Sequence, residues 1–159
     1  MNNKDIELCN GSVAYYDETN DRYECKIHWL GREITFKLWC DEERLDELKD
    51  KFEQFWTAKE KWLSTCQKDI KETLIPYLPE AEPDPLLDYP KLTADDFDAD
   101  YWLTTVCIYQ FVDDFNMQLD FCVDADMDSL DWISVNREFD SDQVIFYVDG
   151  SEIEVPGDR

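Results

Sequence analysis

The sequence predicts an α+β fold: an antiparallel sheet with one long amphipathic helix packed across one face. Three observations predict it. Runs of β-forming residues lie on both sides of one stretch of helical periodicity. The runs after that stretch are joined by Asp-rich links of a few residues, too short for the crossover that parallel strands require. The chain has 159 residues, 43% hydrophobic and 14% aromatic, enough to bury one sizeable core and so to form a single domain over 1–159.

The N-terminal part, 12–39, holds strands and a hairpin. SVAYYD (12–17) and RYECKIHW (22–29) are rich in β-formers and separated by the turn-like ETND. Leu30-Gly31-Arg32 then leads into a run where Ile34, Phe36 and Leu38 alternate with polar residues and share one face. Asp41 is placed to cap the helix that follows, with Glu42 and Glu43 in its first turn complementing the dipole. From Leu45 through Leu48, Phe52, Phe55, Trp56, Leu63, Cys66 and Ile70 to Leu74, apolar residues recur at helical steps. This predicts one helix over 42–75, stopped by Pro76. Its polar face mixes six lysines with carboxylates, a solvated pattern. Residues 76–92 hold five of the six prolines and read as an extended connector anchored by Leu86, Leu87 and Tyr89. Thr93, with Asp96 three residues on, can cap a short helical turn through Phe97.

The remainder, 101–149, reads as an antiparallel sheet with runs at 101–112, 116–124, 131–137 and 143–149. Met117, Leu119, Phe121 and Val123 fall on one face and Gln118, Asp120, Cys122 and Asp124 on the other, so one face is covered and one is wet.

Charge narrows the function classes. The chain carries 39 acids against 15 bases, a formal −24. Such a surface repels phosphate backbones and anionic leaflets, so direct nucleic-acid and membrane binding are not expected. Six Trp, eight Tyr and nine Phe exclude a disordered acidic tail. The excess is localised: residues 93–159 hold 18 acids, 15 of them Asp, against Arg137 and Arg159. Asp is a poor strand former and collects in turns and strand ends. A one-signed field of this kind steers and selects a basic partner. Aromatics interleave with the acids at Phe97, Tyr101, Trp102, Phe115, Trp132, Phe139 and Tyr147, and any left exposed would serve as an anchor.

Catalytic and metal motifs are sparse. The six cysteines show no CxxC spacing, and several sit inside apolar stretches as small hydrophobes. The amino terminus shows no export signal, so reduced thiols and a cytoplasmic location are expected. No zinc site or other metal, and no cofactor, is expected: the only histidine, His28, reads as a half-buried structural residue, and four glycines make no phosphate loop. Asp124-Ala-Asp126-Met-Asp128 begins like a calcium loop, but Ser129 and Val135 stand where the sixth-position Gly and twelfth-position Glu are needed, so it reads as a solvated turn.

The order of hairpin, Trp-rich helix, LTADDF connector and acidic sheet ending in Phe146-Tyr147-Val148-Asp149-Gly150 resembles small bacterial α+β domains of the immunity-protein type from polymorphic toxin systems. The similarity spans about residues 23–150. Where that pattern often has a Gly-His pair in its penultimate strand, this chain reads Leu130-Asp131-Trp132-Ile133-Ser134-Val135, so no histidine role transfers. The resemblance implies a cytoplasmic, non-enzymatic binder with no catalytic residue. The expected function is occlusion of a basic protein, such as a nuclease toxin, through Asp113, Asp114, Asp120, Asp124, Asp126, Asp128 and Asp131, with Trp132 as anchor. The alternatives are a phage-type DNA mimic that inhibits a defence nuclease, which needs carboxylates in two rows at phosphate-like spacing, and a carboxylate- or metal-dependent hydrolase, which needs a pocket with convergent carboxylates.

Overall fold

The structure, a computed structural model, describes residues 4–77, 93–123, 132–141 and 143–153. Among these, nine strands form one sheet in sequence order: β1 (Ile6–Glu7), β2 (Val13–Asp17), β3 (Arg22–Trp29), β4 (Arg32–Trp39), β5 (Trp102–Phe111), β6 (Asp114–Cys122), β7 (Trp132–Glu138), β8 (Val144–Val148) and β9 (Ser151–Ile153). Every neighbouring pair is antiparallel except β4–β5, whose parallel register joins Thr35 to Thr105 and Trp39 to Tyr109. The helical segment supplies the crossover that this parallel pair needs. The fold is α+β, with the sheet dominant.

The alternation expected in β4 and β6 holds. Ile34, Phe36 and Leu38 are fully buried, as are Met117, Leu119 and Phe121, and their partners Val106, Ile108, Ile133 and Val135 share the same face. The covering layer is helical. Phe36 meets Phe52 at 5.6 Å and Phe55 at 6.0 Å, and Trp29 meets Phe55 at 6.1 Å, all edge-on. Further along, Trp62 packs edge-on against Phe139 at 6.2 Å. The Arg137 guanidinium reaches down to Asp69, with Nε and Nη2 at 3.0 and 2.9 Å from one carboxylate oxygen. The segment therefore crosses from β3–β4 towards the end of β7.

The single rod expected over 42–75 is corrected. A 3-10 turn (Glu42–Arg44) leads into α1 (Leu45–Thr57), which breaks at Ala58 before α2 (Lys59–Asp69), a π-turn (Ile70–Leu74) and the short α3 (Ile75–Tyr77). At Ala58 (φ −115°, ψ 28°) the N–H bonds the carbonyl of Phe55, and the next turn restarts with Trp62 donating to Ala58. The apolar spacing explains the segmentation. At about 100° per residue, Leu74 stands about 80° round from Leu48, so a straight helix would rotate its last apolar residues away from the sheet. The wider π-turn rotates less per residue and brings Leu74 back to full burial. Pro76 does not end the helix either, because it follows that π-turn and lies inside α3. The rest of the expected connector, 78–92, is outside the described residues.

Thr93 caps α4 (Ala94–Asp100) as expected, and Asp96 closes a reciprocal capping box in place of the usual Glu or Gln. The cap aims Phe97 into the core against Phe121, 5.4 Å away. Two strands come without sequence warning. β1 is two residues held to β2, and β9 is three held to β8 by the Asp149-Gly150 turn, both residues at positive φ.

Candidate functional site

The face opposite the helices is built by the strands' alternate residues, and the register lines them up in rows. One row runs Glu24, Lys37, Cys107, Gln118, Asn136 and Ile145 across β3–β8; the next runs Lys26, Thr35, Thr105, Asp120, Ser134, Tyr147 and Glu152. A third joins Trp39, Tyr109, Asn116 and Glu138, with the Trp39 and Tyr109 rings stacked at 4.6 Å. Carboxylates are interspersed with lysines and amides in these rows, whereas the DNA-mimic alternative needs paired lines of them.

The centre of this face is an internal polar network. The Asn136 amide donates to Tyr109 Oη at 2.5 Å and to Gln118 at 3.2 Å, and its oxygen accepts from Asn116 at 2.9 Å. The Ser134 hydroxyl donates to Asp120 at 2.6 Å, and Gln118 donates to the same carboxylate oxygen at 3.1 Å. Ser134 is fully buried and bonds Asp120, and Asn116 and Asn136, nearly as buried, bond each other, with Asn116 Oδ1 left without a partner. Burial pushes the Tyr109 hydroxyl above its ordinary range, against the pull of the Asn136 and Asn116 donors. Burial drives the Cys107 thiol up to about 12, with the Asp120 charge adding to it, so at neutral pH this sulfur is no nucleophile. The Ser134–Asp120 pair has no imidazole beside it. His28, expected half-buried, is exposed on β3, where its register partner is Glu33. Sequence alternation could have flagged Asn116, Gln118, Ser134 and Asn136 as one polar set on adjoining strands, but only the register makes them mutual partners.

Of the residues expected to bind a partner, the described ones, Asp113, Asp114, Asp120 and Trp132, lie at separate places on the sheet. Asp113 and Asp114 are exposed at the β5–β6 hairpin, where β6 begins. Asp120 is mid-strand, half-buried and tied to Ser134 and Gln118. Trp132 is 40% exposed but pairs with Cys122 at the far end of β6, about 27 Å from Asp114 at 3.3–3.4 Å per residue. The reason is topological, since successive antiparallel strands begin at opposite ends of a sheet. Trp132 is also part of the local framework, because it exchanges backbone and carboxylate hydrogen bonds with Asp149 and lies over Gly150. Asp124, Asp126, Asp128 and Asp131, with the calcium-like turn, lie outside the described residues. Of the other interleaved aromatics, Phe97, Tyr101 and Phe115 are core residues, and Trp102, Phe139 and Tyr147 are half-buried.

The exposed apolar pair that sequence reading missed is at the β5–β6 hairpin, where Phe111 is 61% and Val112 72% exposed. Beside it are the exposed Asp113 and Asp114 on the hairpin and Asp41, held by Gln110, from the segment after β4, which runs on into the exposed Glu42 and Glu43. The two are tied together. The Gln110 side chain accepts from the Asp41 N–H (2.8 Å) and donates to the Asp41 carboxylate (3.1 Å) and to the Val112 carbonyl (2.8 Å). Arg44 donates to the Asp113 carbonyl at 2.8 Å and stacks over Phe115. Its bond to Glu47 raises the guanidinium's pKa further and holds the Glu47 carboxyl below its usual range. Val112 has φ +58°, a conformation that a β-branched residue rarely adopts.

A shallow groove of about 830 Å³ adjoins the opposite, β2–β5 part of the same face, lined by Tyr15, Glu24, Lys26, Thr35, Lys37 and Thr105. Lys26 pairs with Glu33 at 3.7 Å, so the groove is of mixed charge. No group of three or more metal-ligating side chains occurs among the described residues, and no helix among them is long and apolar enough to cross a membrane. No protein-family model, no curated protein and no solved structure matches this chain.

Proposed function

We propose that this chain is a non-enzymatic acidic binding domain of the immunity or inhibitor type, which blocks a basic protein such as a nuclease toxin by covering its cationic groove. The observation that carries the reading is the division of labour on the uncovered face. Its central polar groups bond chiefly to one another, with Asn116 Oδ1 left unpartnered, and the exposed apolar side chains Phe111 and Val112 project among carboxylates. An apolar centre within a charged rim is the arrangement of a protein-binding hot spot. The charge excess of residues 93–159 supports a basic partner, because such a field accelerates encounter and rejects acidic competitors. The proposed domain acts in the cytoplasm and takes no cofactor.

The test is affinity capture from the source cells, with mass spectrometry of what is retained at low and at high salt. The reading expects one protein richer in Lys and Arg than in Asp and Glu, released as salt screens the contact. Recovery of acidic or neutral proteins only, or a melting temperature raised by added calcium with nothing captured, would overturn it in favour of a metal-dependent role.

A further inference from the structure

We infer that the β5–β6 hairpin tip is the anchor that enters the partner, and that its occupant is a protein cleft with an apolar floor and a Lys/Arg rim. This rests on the proposed function above and assigns it a place. Three features of the tip favour it over the Trp132 end of the sheet. Phe111 and Val112 are the most exposed large apolar side chains among the described residues, 61% and 72%, against 40% for Trp132. The charge shown at the tip has one sign: Asp41, Asp113 and Asp114 are all exposed, while Arg44, which bonds the hairpin, is engaged by Glu47, the Asp113 carbonyl and the Phe115 ring. At the other end, Arg32 stacks on Trp102 at 4.4 Å and Trp132 is occupied by Asp149 and Gly150.

The tip is also pre-organised. Gln110 ties the Val112 carbonyl to Asp41, and Arg44 ties the Asp113 carbonyl to the start of the helical segment, so the apolar pair is displayed on a fixed support. A contact made by a rigid tip loses little conformational freedom on binding. A cleft of matching charge gains steering from the three carboxylates and excludes water around Phe111, and an acidic cleft is repelled.

The experiment places a photo-crosslinker in the full chain within the source cells. Phe111→benzoylphenylalanine is compared with the same replacement at Trp132 and at Leu30, which is 48% exposed on the β3–β4 turn at the opposite end. The expected result is an adduct from position 111 to one protein richer in Lys and Arg than in Asp and Glu, and none from Leu30. Replacing Asp41, Asp113 and Asp114 together by Asn should lower its yield at least tenfold. An adduct with such a protein from position 132 alone would overturn the tip assignment and leave the proposed function standing. Equal adducts from Leu30 and Phe111, or a yield indifferent to the Asn replacements, would also overturn the tip assignment. Absence of a basic adduct from every position would overturn both.

Discussion

Replacing Arg137 by Met should cost this fold about 2–3 kcal/mol, a figure that follows from where the guanidinium lies. Its two nitrogens reach one oxygen of Asp69 at 2.9 and 3.0 Å, and the two side chains are 13% and 21% exposed. Exposed pairs contribute about 0–1 kcal/mol, and breaking a fully buried one costs about 3–5 kcal/mol because the survivor is left charged and dry. This pair sits between the limits, nearer the buried one. Met keeps the apolar stem, so the loss reports the charge contact and not a cavity. At about 2–4 °C per kcal/mol for a chain of this length, the melting temperature should fall by roughly 4–12 °C. Urea unfolding followed by Trp emission measures the change directly. The difference should barely alter between about 0.1 and 0.5 M salt, since a sheltered pair is weakly screened. Asp69→Leu alone should destabilise comparably, and the double variant should recover much of the loss. A single-variant loss below about 0.5 kcal/mol, or a double variant equal to the sum of the singles, would refute the view that this pair ties β7 to α2.

Three further outcomes are expected. Val112→Gly should raise the urea midpoint by the equivalent of about 0.5–1 kcal/mol, because relief of left-handed strain exceeds the added freedom of the unfolded chain; a lowered midpoint would show that Val112 is unstrained. Gly150→Ala should cost about 1–2 kcal/mol, since the new methyl meets the Trp132 ring at 3.3 Å at a backbone φ of +86°; an unchanged midpoint would contradict that contact. Stability should decline above about pH 9. Burial raises the Cys66 and Cys107 thiols from 9.0 to about 12 in the fold, so the unfolded chain loses those protons first. Each thiol then removes about 1.4 kcal/mol per pH unit between those values, with no effect below them. Denaturation at pH 8, 9 and 10 measures the slope, and Cys→Ala at both positions should make it shallower, leaving the part due to Cys25 and Cys40, whose thiols burial raises to about 11.

Much of the fold is legible because strand alternation and helix periodicity record which side chains leave water. Ile34, Phe36 and Leu38, and Met117, Leu119 and Phe121, declare their face in sequence, and Thr93 declares its cap. What sequence does not record is pairing. Ile6–Glu7 and Ser151–Ile153 are strands only because β2 and β8 offer them hydrogen bonds. The break at Ala58 is invisible because Ala is a good helix former, and it is the sheet's demand on Leu63, Cys66 and Leu74 that interrupts the rod. The candidate surface is less legible than the core for the same reason. Asp120 looks like a free charge until the register brings Ser134 and Gln118 to it, and Trp132 looks close to Asp113 until the strands are laid out.

The parallel seam between β4 and β5 divides the assembly of this chain into two tempos. Every other ladder joins neighbours in sequence and can zip from a nearby turn, whereas Thr35 meets Thr105 only after the whole helical segment is enclosed. By the logarithmic law for loops, that closure costs roughly 3 kcal/mol more entropy than a two-residue turn. The two meanders therefore form early and the seam closes late, leaving β4 and β5 for a time as unpaired edges, the kind that joins copies of a chain into aggregates. The second meander lies within residues 93–159, which carry a net −16. Like charge keeps half-folded copies apart during that interval, so the acidity protects the unfinished domain from joining its own copies.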